Sequence, residues 1–111
     1  MISKAILRYT MVSPRKVRQV INLVRGRDVL EALSVLHNIK RGARVQVENV
    51  LKSAVNNAVK KYPDIRQKDL YISNIAADDG PTLKRFKAAA MGRAVRIRKR
   101  TSHILIELDK R

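Results

Sequence analysis

Neither cysteine nor tryptophan occurs in this sequence, and only nine side chains are acidic. Without cysteine there is no disulfide framework and no thiolate metal site, which agrees with a reducing compartment. Aromatic residues make up 4%, so the core is expected to consist of Val, Ile, Leu and Ala. No apolar run approaches the length of a membrane span. The opening stretch MISKAILRYT is interrupted by Lys4 and Arg8 and has no apolar region of the kind a secretory signal carries. These absences lead to the expectation of a soluble, intracellular protein with no membrane partner.

Positive charge is what the chain has in excess. Twenty-five Lys and Arg stand against the nine acids, a net charge of +16 over 111 residues. Self-repulsion of that size works against a compact fold, and a polyanion relieves it. Nucleic acid is the partner such a balance implies. A membrane-active basic domain would need a Leu, Phe and Trp face for interfacial insertion, and none is present. The length fits one domain, residues 1–111, able to bury roughly two-thirds of its unfolded surface.

The pattern along the chain is helical first and extended later. Residues 2–12 alternate loosely, Ala5, Leu7 and Tyr9 against Lys4, Ile6, Arg8 and Thr10, as a half-buried strand does. Ser13-Pro14 reads as an N-cap with proline at the first helical position. Val17, Val20, Ile21 and Val24 follow at helical spacing until Gly26. Arg15, Lys16, Arg18 and Arg25 make the other side of this helix cationic. Asp28 and Glu31 are spaced like a capping box opening a second helix through Leu30, Leu33 and Leu36. A third helix carries one stripe, Ala43, Val47, Val50, Leu51, Ala54 and Ala58. From Asp69 the period becomes two: a strand over 70–77, a turn at Asp78-Asp79-Gly80-Pro81, another strand from Leu83, and a closing strand through Ile104, Ile106 and Leu108. The expected class is α+β, three helices packed on one face of a small antiparallel sheet, with a long protruding β-hairpin at about 83–103.

The hairpin is the segment that most needs explaining. FKAAAMGRAVRIRKR has no acid and few large apolar side chains, so it cannot build a core. Leu83–Ala90 and Arg93–Thr101 are read as two arms around Met91-Gly92, where glycine tolerates the positive φ of a tight turn. Each arm of about nine residues would reach roughly 30 Å. Lys84, Arg85, Lys87, Arg93, Arg96, Arg98, Lys99 and Arg100 are eight cations in seventeen residues. Alternation along a strand sends them to both faces, which suits a finger between phosphate backbones better than a single solvated surface. Arginine outnumbers lysine five to three there, favouring phosphate forks and stacking on bases. RNA junctions and single-stranded loops are surfaces such a ribbon could follow. The alternative, a disordered tail or a localisation signal in RIRKR, conflicts with the clean strand that follows.

Three stretches then carry a resemblance: RYTMVSPRKVRQVINLVRG at 8–26, VLKSAVNNA at 50–58, and DDGPTLKRF with GRAVRIRKRTSHI at 79–86 and 92–104 (DDGPTLKRF itself spanning 78–86). In these the chain resembles the large-subunit ribosomal protein L twenty-two family over nearly its whole length. The resemblance implies a structural, non-enzymatic constituent of the large ribosomal subunit that binds rRNA and supports assembly. It implies a globular part near the tunnel exit and a hairpin whose tip lines the nascent-peptide tunnel. Expected partners are large-subunit rRNA, neighbouring large-subunit proteins and the nascent polypeptide, with no homo-oligomer and no cofactor. The expected location is the cytoplasm, in the ribosome, an organellar ribosome being left open. The rRNA-binding set is expected to be Arg8, Arg15, Lys16, Arg18 and Arg25 on the globular part. On the hairpin it is expected to be Lys84, Arg85, Lys87, Arg93, Arg96, Arg98, Lys99, Arg100, Thr101 and Ser102. The tip would be Ala88, Ala89, Ala90, Met91 and Gly92. The family commonly has Pro-Arg-Ala where this chain has Ala88-Ala89-Ala90, so its tip lacks one cation and one fixed φ. The alternative reading is a free-standing basic DNA-binding or regulatory protein using the same ribbon in a groove.

Other chemistry is weakly supported. His37 and His103 have no companion at metal-ligand spacing, so no metal is expected. Asp78-Asp79 before Gly80-Pro81 is read as turn chemistry rather than a Mg²⁺ site. Ser13 and Ser102 lack the surroundings of a hydrolase nucleophile, and no phosphate-binding glycine loop occurs.

Overall fold

The computed structural model describes residues 2–39, 42–80, 83–88 and 94–110, the stretches 83–88 and 94–99 by their backbone alone. In chain order the elements are β1 (Ser3–Thr10), α1 (Pro14–Ile21), α2 (Val29–Asn38), α3 (Arg44–Lys61), a 3-10 turn (Gln67–Asp69), β2 (Leu70–Asp79), β3 (Leu83–Ala88), β4 (Ala94–Lys99) and β5 (Ser102–Lys110). The last strand is central: β5 pairs antiparallel with β1 on one side and β2 on the other. A second sheet consists of β3 and β4. The molecule extends 64 Å along its longest axis and 25 and 16 Å across it.

The core follows from period-two and period-3.6 patterns meeting. Ile104, Ile106 and Leu108 on β5 have no exposed surface. The stripe expected on α3 is buried along its whole length, joined by Val55. At about 25 cal/mol per Å² of apolar surface removed from water, each such Leu, Ile or Val contributes roughly 1.5–3 kcal/mol. Polar bonds then fix the helix on the sheet. Ser3 Oγ donates to the Ala54 carbonyl at 2.8 Å, and Asn57 Nδ2 donates to the Lys4 carbonyl at 3.0 Å. Along the outer side Glu48 bridges Arg44 and Lys52, each at 3.3 Å and one turn away.

Several expectations are corrected in detail. α1 ends at Ile21, and Leu23 and Val24 close i→i+3 turns on Val20 and Ile21. The orphan carbonyls of the helix end are used this way, and Gly26 at φ +75° completes the reversal. The Asp28–Glu31 capping box does not form: Asp28 makes no side-chain cap bond, and Glu31 pairs instead with Arg27 one turn back. The buried stripe of α2 is Val29, Ala32 and Leu36, whereas Leu30 is exposed and Leu33 half-buried. Ser73 bulges from β2, shifting the pairing with β5 between Ile72 and Asn74. A bulge reverses parity, which is why Leu70 and Ile72 are buried before it and Ile75 and Ala77 after it.

At Asp78-Asp79, where the turn at 78–81 is expected to begin, the strand continues instead. Asp78 and Asp79 pair with His103 and Ser102 as the end of β2, and Gly80 N–H donates to the Thr101 carbonyl at 3.0 Å. Pro81 lies outside the described residues. Backbone pairing thus prevails over turn propensity, because β5 supplies a partner at every step. Tyr9 also departs from the side expected for it, that of the half-buried Ala5 and Leu7. The β1–β5 pairing shifts between Leu7 and Thr10, and Tyr9 takes φ +58° with 61% of its surface exposed. For a non-glycine residue the left-handed region costs roughly 1–2 kcal/mol.

Candidate nucleic-acid interface

The hairpin is a continuation of the main sheet's own ladder. β2 and β5 pair up to Asp79 and Ser102, and β3 and β4 resume pairing at Leu83 and Lys99. The paired residue numbers sum to 181 before the junction and 182 after it, a one-residue offset at the root. Described pairing runs from Leu83 opposite Lys99 to Ala88 opposite Ala94. The first arm starts at Leu83 as expected, and the second is described as far as Lys99, two residues short of the expected Thr101. Residues 89–93, with the Met91-Gly92 turn, Arg93 and the tip positions Ala89 and Ala90, lie outside the described residues.

The register sorts the cations. Lys84 and Arg98 are opposite one another, and Arg96 is opposite Phe86, in one parity of the ladder. Lys99 stands opposite Leu83, Arg85 opposite Ile97 and Lys87 opposite Val95 in the other parity. Directly paired residues of an antiparallel ribbon share a face, and successive residues alternate. Three cations thus fall to each face. Like charges directly opposite, as at Lys84 and Arg98, destabilise a free ribbon, and polyanion along both faces removes that penalty.

On the globular part the expected residues divide into two kinds. Arg8, Arg15, Lys16 and Arg100 are exposed. Arg18 and Arg25 also serve the fold. Arg18 Nε and Nη2 donate to the Ala77 carbonyl at 3.1 and 2.9 Å, and its Nη2 lies 3.6 Å from Asp79. Arg25 Nη1 donates to the Ile75 carbonyl at 2.9 Å. Both forks hold the α1 side of the domain to β2 near the hairpin root. The Arg18 side chain remains half exposed, at 50%, so one guanidinium can brace the sheet and face outward.

Thr101 and Ser102 do not join the exposed set. Thr101 is 3% exposed and Ser102 has no exposed surface. Ser102 Oγ donates to the Val12 carbonyl at 2.7 Å, tying the start of β5 to the chain that leads into α1. Beside Thr101, a Cβ added to Gly80 would press into Thr101 Oγ1. At the hairpin root the Gly80 backbone is therefore packed against the Thr101 and His103 side chains. One contact at this root was not visible in sequence: Tyr9 N–H donates to His103 Nδ1 at 3.0 Å across 94 positions. Only the β1–β5 register brings the two together.

A cleft of about 620 Å³ opens where the N-terminal ends of α1 and α3 converge, lined by Met11, Val12, Ser13, Lys16, Gln19 and Gln46 among others. Neither helix has an acid in its first turn or a side-chain cap, so partial positive charge from both backbones faces the region. Gln46 Oε1 in its wall is buried and accepts no hydrogen bond among the described residues. Among the described residues no group of three or more His, Cys, Asp or Glu could hold a metal ion, and no helix is long and apolar enough to cross a membrane.

A basic ribbon growing from an α+β body matches one family closely. The model of the family described as ribosomal protein L22p/L17e matches residues 5–109. The chain belongs to that family. Among its relatives is the large ribosomal subunit protein uL22 of Halothermothrix orenii, 47% identical over 109 residues, covering 98% of this chain and 96% of the relative. The protein of the same name from Sulfurihydrogenibium sp. is 53% identical over 110 residues, covering 98% and 92%. That of Desulfitobacterium hafniense is 53% identical over 104 residues, covering 94% and 90%. Matches of this length include the helices, the main sheet and the ribbon together, so family membership applies to the hairpin as well as to the body.

Proposed function

We propose that this chain is a structural, non-enzymatic constituent of the large ribosomal subunit in the cytoplasm, held there by rRNA and neighbouring large-subunit proteins. The observation that carries the reading is the family match over 5–109, joined to a ribbon with three cations on each face. Arg8, Arg15, Lys16 and Arg100, exposed on the body and at the root, are assigned to phosphates, with Arg18 and Arg25 contributing while they brace β2. On the ribbon Lys84, Arg85, Lys87, Arg93, Arg96, Arg98 and Lys99 follow the backbone of RNA on both sides. Thr101 and Ser102, being buried, act by shaping the root rather than by direct contact. The tip, residues 88–92, is assigned to the wall of the nascent-peptide tunnel, and the ordering of rRNA around two faces is how the protein supports assembly.

Binding of the full chain to large-subunit rRNA across a salt series tests the electrostatic part. With about six to ten phosphates neutralised, the logarithmic slope should be several units negative, and a slope near zero would contradict the mechanism. Charge reversal of Arg15 and Lys16 together should weaken binding and flatten that slope while the melting temperature holds, because Val17, Val20 and Ile21 on the opposite side are untouched. Co-sedimentation of tagged protein with large subunits through a high-salt wash tests the location. Loss of association with DNase but not RNase would favour a DNA-binding protein instead.

A further inference from the structure

From the geometry at the hairpin root we infer that Tyr9 is a stacking platform for one unpaired RNA base, held in place by His103. The inference rests on the rRNA-binding reading above and adds a base contact to a surface otherwise described by phosphate contacts. Only four aromatic side chains occur in the chain (three Tyr and one Phe), and this one is 61% exposed. Among the described residues Tyr9 is the one non-glycine with positive φ, at 58°. Its neighbours Leu7 and Thr10 stay in the ladder, opposite Ile104 and Ser102. A regular strand would give Tyr9 the parity of Ala5 and Leu7, which are half-buried. The bulge and the left-handed backbone turn a large ring outward, so the fold forgoes its burial and accepts backbone strain as well. Strain kept together with a large exposed ring points to a functional position.

The ring is exposed without being loose. Its own backbone N–H donates to His103 Nδ1 at 3.0 Å, and the two rings meet at 87° with centroids 4.8 Å apart. With Nδ1 accepting, the neutral imidazole carries its proton on Nε2. His103 is itself held from behind: it sits opposite Asp78 in the β2–β5 ladder, and its Cε1 lies 3.3 Å from where a Cβ on Gly80 would be. An edge-to-face neighbour fixes the tyrosine plane yet leaves it open to a flat ligand. Cations flank the place in sequence and register, Arg8 next to Tyr9 and Arg100 two residues before Ser102, both exposed. An aromatic face beside phosphate-binding cations is how proteins hold an unstacked base. Net charge +16 makes nucleic acid the occupant rather than an apolar protein segment.

Full-length protein, large-subunit rRNA and three variants test this. Tyr9→Leu should weaken binding about 5- to 150-fold, the range of one lost stacking contact. Its salt slope should match the parent, since no phosphate contact is lost. Tyr9→Phe should bind within about twofold, because it keeps the π-face. Tyr9→Gly relieves the positive φ, so it should fold with an unchanged or raised melting temperature and still lose the affinity. In chemical probing of the rRNA, one unpaired nucleotide protected by the parent and by Tyr9→Phe should become reactive with Tyr9→Leu. Leu binding like the parent, Phe losing as much as Leu, or a changed salt slope overturns the platform while leaving rRNA binding intact. If the parent protein itself fails to bind the rRNA, the proposed function and this inference fall together.

Discussion

In the three-stranded sheet Ile106 of β5 stands between Ala5 of β1 and Ile75 of β2, while in the ribbon Lys84 stands opposite Arg98. Antiparallel pairing holds both, with registers that differ by one residue across the root. In the body every second cross-strand row, through Ile104, Ile106 and Leu108, adds apolar surface to a core that α3 covers. In the ribbon five of the six paired rows from Leu83–Lys99 to Ala88–Ala94 carry a cation. It is set opposite a second cation at Lys84–Arg98 and opposite an apolar residue in the other four. Backbone pairing alone makes a ribbon marginal in water. The difference teaches that one secondary structure can serve two purposes: the body is stabilised by what it buries, and the ribbon, under the proposed function, by what it binds.

The largest effect expected from breaking this contrast is in the body. Leu51 has no exposed surface, and Leu51→Ala should cost about 2–5 kcal/mol. For a domain of this size that is a fall of roughly 10 °C or more in the melting temperature. Lys52, the next residue, is 59% exposed and pairs with Glu48 at 3.3 Å. Lys52→Ala should change stability by only a few tenths of a kcal/mol. Equal shifts for the two in thermal melts would mean that α3 does not face the sheet as described.

A middle-sized effect is expected at the joint between the two regions. Gly80 packs so closely on Thr101 that a methyl group would collide with Oγ1 and approach the Thr101 backbone carbon at 3.4 Å. Gly80→Ala should therefore cost about 1–3 kcal/mol, the usual penalty of overpacking. Gly26 makes the contrast: it has φ +75° but open space around it, so alanine there is strained only through the backbone. A melting temperature unchanged by Gly80→Ala would show that the root yields and that the ribbon is less firmly set on the body.

How much of this was legible in the sequence depended on whether a residue's role was local. The α3 stripe was readable because Ala43, Val47, Val50, Leu51, Ala54 and Ala58 keep one helical face, and the closing strand because Ile104, Ile106 and Leu108 keep one parity. α2 was misjudged in register since apolar residues surround it: Leu30 and Leu33 imitate a stripe, yet Val29, Ala32 and Leu36 are the ones buried. Asp78-Asp79-Gly80 has turn chemistry, and only β5 opposite it makes a strand. The cations of the interface were visible as charge. The burial of Thr101 and Ser102, and the meeting of Tyr9 with His103, depend on pairing between residues some 90 positions apart, which no local pattern encodes.

The smallest effect on stability is expected from the largest change. Removing residues 86–98 and joining Arg85 to Lys99 through a two-residue Asn-Gly turn deletes most of the ribbon. It removes Lys87, Arg93, Arg96 and Arg98 and no acid, lowering the net charge from +16 to +12, so self-repulsion falls. The deleted stretch has few large apolar side chains, and the buried Ile104, Ile106 and Leu108 remain in place on β5. Shorter loop closure adds a small entropic gain. The melting temperature of the free protein should stay within about 2 °C of the parent, equivalent to less than about half a kcal/mol. Binding to rRNA should weaken and its salt slope should flatten by several units, since four cations are gone. In ribosomes the shortened protein should still enter the large subunit through its body, while crosslinks from a stalled nascent chain to a probe at Met91 in the parent should have no counterpart. Probes near residue 20 that capture the nascent chain, with none captured at 90–92, would reverse the proposed orientation. Unfolding of the truncated chain would mean that the ribbon holds up the body, and the division of labour between the two sheets would be wrong.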